Sequence, residues 1–290
     1  MTLQVLLVVL ASALLHASWN ALVRGAADKF SSTVWVVGGA AVWSLPLLGA
    51  ADLPLPASWP YLLASVLIHG VYFTLVALAY QGSALGVAYP LMRGTAPALT
   101  ALLGVLWLGE SLSLGTSLGV GLVCLGVLGM GVGIVAWRSP AHRSAKAQRS
   151  TVLLALLNAG VIALYTLVDA QGVRLAGQAL GYALALFMGT ALLMGLLALL
   201  RQRWQRPGAS LSLSQGLRLA AWGGAGTLGA YALVLWAFTQ APVASVAALR
   251  ETSMVFALLL GSVFLKERTP WPQWLAVLLI VAGAVSLKLA

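Results

Sequence analysis

Ten apolar runs of about twenty residues, separated by short polar joints, constrain this chain more than anything else in it. They fall at about residues 3–23, 31–50, 60–81, 84–108, 115–137, 151–172, 181–200, 217–239, 243–265 and 271–289. A helix needs about 20 apolar residues to cross the roughly 30 Å hydrocarbon layer. The ten-residue alternating pattern of a membrane barrel is absent. Charged residues make up 8% of the chain, against about 25% in soluble domains. The expected fold is an all-α integral membrane protein with ten transmembrane helices. Met1–Val23 reads as a retained first span rather than a signal peptide. It lacks a basic leading region, and its long apolar run carries His16, Trp19 and Asn20.

One stretch is written twice. Tyr89–Glu110, YPLMRGTAPALTALLGVLWLGE, recurs after 157 residues as VAALRETSMVFALLLGSVFLKE, ending at Glu267. Under that offset Arg93 falls on Arg250, Thr95 on Thr252, Gly104 on Gly261, Glu110 on Glu267 and Gly126 on Gly283. The longest polar joint, Arg138–Ser150, divides the chain into five spans plus five. The expected organisation is a first repeat at 1–137, a basic cytoplasmic linker at 138–150 and a second repeat at 151–290.

Orientation follows from the basic residues. The joints after spans 1, 5, 7 and 9 hold Arg24, Lys29, Arg138, Arg143, Lys146, Arg149, Arg201, Arg203, Arg206, Arg218, Lys266 and Arg268. The other side holds Arg174 and Lys288. Basic loops stay in the cytoplasm, so both termini are expected outside it, in a multi-pass protein of the cytoplasmic membrane. Five spans per half is odd, which makes the halves inverted-topology repeats. That arrangement typifies secondary transporters with a binding site near the midplane.

Several chemistries are set aside. The net charge of +10 resides in short joints between spans, which points to membrane orientation and not to nucleic acid. Cys124 is the single cysteine and lies in an apolar run, so no disulfide framework or thiolate metal site is expected. His16, His69 and His142 share no ligand spacing, and no GxxxxGK[ST] phosphate loop occurs. No cofactor or metal is expected, and uphill transport would draw on an ion gradient. Asp169, Glu251, His16 and His69 are the candidate proton carriers.

HASWN (His16–Asn20), YPLMRGTAP with LGE (Tyr89–Pro97, Leu108–Glu110), and LRETS with LKER (Leu249–Ser253, Leu265–Arg268) resemble the drug/metabolite transporter superfamily, in particular its EamA-like branch. The likeness covers essentially the whole chain. It implies a ten-helix alternating-access carrier for small metabolites, often an exporter of amino acids or related polar compounds. Some relatives with an HASWN-like first helix are associated with phosphonate use.

Residues at i, i+3, i+4 and i+7 share a helix face. Span 1 gathers Ser12, His16, Trp19 and Asn20, and span 6 gathers Asn158, Tyr165 and Asp169. Span 3 aligns His69, Tyr72 and Tyr80; span 4 aligns Tyr89, Arg93 and Thr100; span 9 offers Arg250, Glu251 and Ser253. Such faces imply a wet, aromatic-lined cavity, although Trp and Tyr near span ends also serve as interfacial belts. The belt reading fits Trp107, Trp137, Trp271 and Trp274. Arginine inside a span costs roughly 2.5–3.5 kcal/mol on insertion scales, so Arg93 and Arg250 are candidate substrate residues. Glu251 neutralises one, leaving the other for an anionic group held by a bidentate contact. The alternative is that Glu251 and polar backbone satisfy both and clasp spans 4 and 9 together. Glu110 and Glu267, at helix ends, read as caps or loop-pairing groups rather than transport carboxylates, and the glycines of spans 5 and 8 as packing residues.

The expected function is secondary transport of small polar or anionic metabolites, outward by family likeness, with substrate contacts at Arg93, Arg250, Glu251, Trp19, Asn20, His16, Tyr72, Tyr80, Tyr89 and Tyr165. Uptake of phosphonate-like anions is the alternative, with a lipid flippase or membrane-embedded enzyme further behind. The expected partners are a small-molecule substrate and the lipid bilayer, with the chain acting as a monomer or homodimer.

Overall fold

Each apolar run folds as helix, because hydrocarbon offers no partner for backbone N–H and C=O groups and a helix satisfies them within the segment. The computed structural model describes residues 1–24, 28–82, 85–137, 145–204, 211–264 and 269–290. Within these, the side chains of 22–24, 77–82, 85–87, 132–137, 145–148, 202–204 and 264 are not described. The helices are α1 (Leu3–Arg24), α2 (Lys29–Leu47), α3 (Trp59–Gly82), α4 (Leu85–Leu108), α5 (Leu114–Trp137) and α6 (Ala145–Leu175). They continue with α7 (Ala179–Trp204), α8 (Leu213–Arg218), α9 (Gly224–Gln240), α10 (Val243–Arg250), α11 (Ser253–Phe264) and α12 (Trp271–Leu289). Among the described residues no strand occurs, and ten stretches are long and apolar enough to cross a membrane. Residues 138–144 of the expected linker lie outside the described residues, and α6 begins at Ala145 rather than at 151.

Two of the ten stretches are interrupted between two α-helical segments. Span 8 is α8 and α9 joined by a π-helical turn at Leu219–Gly223. Span 9 is α10 and α11 joined by a turn at Glu251–Thr252. The first joint leaves no mark in the apolar pattern, whereas the second falls in a polar stretch of its span, Arg250–Ser253. Span 4, by contrast, stays helical through Pro90 and Pro97. Proline removes the donor to the carbonyl four residues earlier, so Pro97 withdraws the helical partner of the Arg93 carbonyl.

The chain divides into two compact units, each drawing helices from both repeats. One comprises Met1–Leu14, Leu75–Leu167 and Gln240–Ala290. Here α5 packs along α12 over much of its length. A Cβ added at Gly126 would lie 2.7 Å from the Ala276 carbonyl oxygen, and one at Gly283 2.7 Å from the Gly119 oxygen. The backbones therefore meet directly, as small residues permit in membranes, and Ser286 Oγ donates to the Gly115 carbonyl at 2.9 Å. Glu110 accepts from the Val243 N–H with both carboxylate oxygens at 3.0 Å. It thus caps the start of α10, where a carboxylate complements the helix dipole.

The other unit comprises Leu15–Thr74 and Val168–Thr239. Helix α2 packs on α7 and on the π-helical turn, where the Ala220 carbonyl comes so close that Gly39 has no room for a Cβ. Trp43 Nε1 donates to the Ala221 carbonyl at 2.9 Å, satisfying a group in the π-helical turn. Trp107, Trp271 and Trp274 are exposed near helix ends, as belt residues require; the Trp137 side chain is not described.

Candidate functional site

In the first unit the twice-written stretch produces a buried ion pair at the break in span 9. Arg93, from the middle of α4, places Nε 2.9 Å from Glu251 Oε2, with both side chains about nineteen-twentieths buried. Arg93 Nη2 also donates to Ser253 Oγ at 3.2 Å. One guanidinium thus spans the break, touching the last residue before α11's neighbour Thr252 and the first residue of α11.

The break has its own local logic. The N–H groups of Glu251 and Thr252 donate three residues back, to Ala248 and Leu249, both at 3.0 Å. Thr252 Oγ1 donates to the same Leu249 carbonyl at 2.7 Å. Helix ends expose carbonyls that tightened turns and hydroxyls can satisfy. Arg250 occupies the last turn of α10, where a cation complements the carbonyl end of the helix.

Arg93, Arg250 and Glu251 line a small cleft with Thr100, Ile162, Thr166 and Ala247. Its free space is about 10 Å³, the size of a water molecule. From the helix starts, Arg93 lies about 12 Å into α4 and Arg250 about 11 Å into α10 at 1.5 Å per residue. Tyr89 is half-buried and Tyr165 buried in the same unit.

The second unit holds a different polar group. Asp169 on α6 is fully buried and accepts from Tyr182 Oη of α7 at 3.0 Å and from Tyr231 Oη of α9 at 2.5 Å. Ser65 of α3 lies close enough to influence the same carboxylate. His69, one turn along α3, has Nδ1 2.9 Å from the Ser65 carbonyl oxygen and 3.1 Å from Ser65 Oγ. Its ring meets that of Tyr231 edge-on, with centroids 5.8 Å apart.

The expected span 6 face is therefore divided: Asn158 and Tyr165 belong to the first unit, Asp169 to the second. Asn158 Nδ2 donates to Met92 Sδ at 3.0 Å. His16, Trp19, Asn20 and Tyr72 also lie in the second unit, all half-buried. His16 and Trp19 stack edge-to-face at 5.3 Å, and Asn20 Nδ2 donates to the His16 carbonyl at 2.8 Å. The Tyr80 side chain lies outside the described residues. Ser65, Tyr182 and Tyr231 were not candidates from sequence. Ser65 carried a signal, sitting four residues before His69 on the same helix face; the two tyrosines are lone polar groups on apolar spans.

No curated protein matches the sequence. Among solved structures 28 chains match. One, described as "Crystal structure of protein", aligns over 100% of this chain and 98% of its own, with TM-score 0.81 and 19% identity. At that identity the likeness is one of fold. The profile of the EamA-like transporter family, whose members move small molecules across membranes, matches residues 3–132 and again 149–288. Two successive matches over ten membrane-length stretches repeat the duplication visible in the sequence, and the chain belongs to the EamA-like transporter family.

Proposed function

We propose that the protein is a gradient-driven secondary transporter of small anionic metabolites in the cytoplasmic membrane, with the cleft at the span 9 break as its recognition site. The observation that carries this reading is that two arginines from membrane spans line one cleft. Arginine within a span is costly and functional by default, and its planar two-donor fork suits a carboxylate or phosphonate group. Arg250 makes the anion contact while Glu251 stays with Arg93. Discontinuous spans carrying charged groups near mid-membrane are a recurring means of building transporter sites. The cleft holds only a water-sized space, so an anion enters a more open form of the alternating-access cycle. His16, Trp19, Asn20, Tyr72, Tyr80, Tyr89 and Tyr165 are aromatic and polar contacts for the rest of the substrate. Outward movement is the direction that the family likeness favours.

The test is uptake and counterflow in reconstituted vesicles with radiolabelled amino acids and phosphonates. Carboxylate or phosphonate compounds are expected to compete for transport, and their amides or esters to fail. Arg250→Lys is expected to impair transport although the charge remains, because lysine lacks the planar two-donor fork. Equal competition by the uncharged analogues would overturn the anion reading.

A further inference from the structure

We propose that Asp169 is a reversible proton-binding site, filled and emptied through His69 and Ser65. Four helices converge on this carboxylate, and the groups that face it are Ser65 and His69 from α3, Tyr182 from α7 and Tyr231 from α9. On its own helix, Arg174 Nε donates to the Phe238 carbonyl at 3.0 Å. A buried carboxylate held for stability is ordinarily paired with a fixed cation. Here two tyrosine hydroxyls donate to it, and among the described residues an imidazole is the neighbour able to become a cation, the side chain suited to exchanging protons near neutral pH.

The hydrogen bonding closes in both protonation states. Ionised, Asp169 only accepts, and Tyr182 and Tyr231 donate to it. Protonated, it must donate once, and each hydroxyl around it can accept as well as donate. Turning one hydroxyl suffices, so neither state strands a buried polar group.

His69 supplies the route. A carbonyl oxygen only accepts, so the short contact to the Ser65 carbonyl means that His69 Nδ1 carries the hydrogen. An incoming proton therefore binds Nε2. The Nδ1 proton passes to Ser65 Oγ, and the Ser65 hydroxyl proton passes to the carboxylate. Afterwards His69 is neutral with its hydrogen on Nε2, the hydroxyl hydrogen that Ser65 has regained points to the bared Nδ1 at 3.1 Å, and Asp169 is a neutral acid, with one proton gained from outside; return of the ring hydrogen to Nδ1 resets the relay. Asp169 and Ser65 have no exposed surface, whereas His69 retains 9%. The imidazole is thus the outer member of the chain. In transport, this proton would be the coupling ion, a step that rests on the secondary-transporter reading above; the proton site itself does not.

The experiment needs no substrate, so it fails or succeeds independently of the anion assay. Infrared difference spectra of the purified protein in nanodiscs are recorded between mildly alkaline and mildly acidic pH, in water and in heavy water. The expected result is a carboxylic acid C=O band that grows on acidification, shifts in heavy water and is lost in Asp169→Asn. His69→Gln keeps the band but slows its appearance after a pH jump by on the order of a hundredfold, the scale of a lost general acid–base. A wild-type protein without a titrating carboxylic band overturns the proposal even if Asp169→Asn fails to fold. So does a band that survives in Asp169→Asn, or an unchanged rate in His69→Gln.

Discussion

Replacing Glu251 with glutamine tests what holds the break in span 9. At 2.9 Å the gross attraction between Arg93 and Glu251 is about 6 kcal/mol for an effective dielectric of about 20. Most of that offsets the desolvation of two buried ions, so the intact pair adds little net stability. Removing one partner is different, because the desolvation of Arg93 is then uncompensated, at a cost of about 3–5 kcal/mol. Glutamine keeps the volume and one carbonyl acceptor near the guanidinium, which places Glu251→Gln toward the lower end. Arg93→Met combined with Glu251→Gln removes both charges and is expected to recover most of the loss. Unfolding of the purified protein in nanodiscs, followed by tryptophan fluorescence for both singles and the double, gives the coupling energy directly. If Glu251→Gln lies within about 0.5 kcal/mol of wild type, the range of neutral surface changes, the pair does not hold the break. Recovery of stability and transport together in the double variant would make the pair a structural clasp and move recognition to the aromatic residues.

Two further outcomes are expected. Cysteines introduced at Thr2 and Ala290 in a chain whose own Cys124 has been replaced should react with an impermeant reagent from outside the cell, and one at Arg149 only after permeabilisation, following the charge bias; cytoplasmic labelling of Ala290 would refute this orientation. Asp28 caps α2 by accepting from Phe30 N, Ser31 N and Ser31 Oγ, 3.8 Å from Arg201. Burial alone would raise its carboxyl, but the Ser31 hydrogen bonds, the Arg201 charge and the Phe30 N–H outweigh it and hold the group below its ordinary value of 3.8. The folded state thus favours ionised Asp28: its contribution is complete above the ordinary value and is lost as pH falls through the lower folded value. Asp28→Ala should cost about 1 kcal/mol near neutrality and show less loss of stability on acidification, read from unfolding midpoints against pH.

The spans, the duplication and the family were legible because each is written in many residues at once. Apolar length, basic joints and an offset of 157 residues survive any single substitution. The Arg93–Glu251 contact was half legible: charged groups inside spans announce themselves, but which arginine takes the carboxylate depends on geometry. The Asp169 group was less legible still. Its neighbours come one or two from each of three other helices, and lone tyrosines on apolar spans look like ordinary packing or belt residues until the helices are assembled. The π-helical turn at Leu219–Gly223 leaves no mark in periodicity, because one shifted residue in a glycine- and alanine-rich run keeps an apolar face.

The two repeats differ where they would be expected to match, and the difference explains the break. Glu251 stands where the first repeat has Gly94, which lies so close to α5 that a Cβ would meet Leu128 at 2.7 Å. A carboxylate cannot take that packing role in an apolar interface, so in the second repeat the position turns to a charged partner instead. The paired threonines record the consequence. Thr95 Oγ1 donates to Leu91, four residues back, as in an unbroken helix. Thr252 Oγ1 donates to Leu249, three residues back, in a tightened turn. The first repeat keeps its span regular and supplies the arginine; the second opens its span and supplies the carboxylate. Neither copy alone contains both halves of the ion pair, so the polar centre of this unit is built from one residue of each copy.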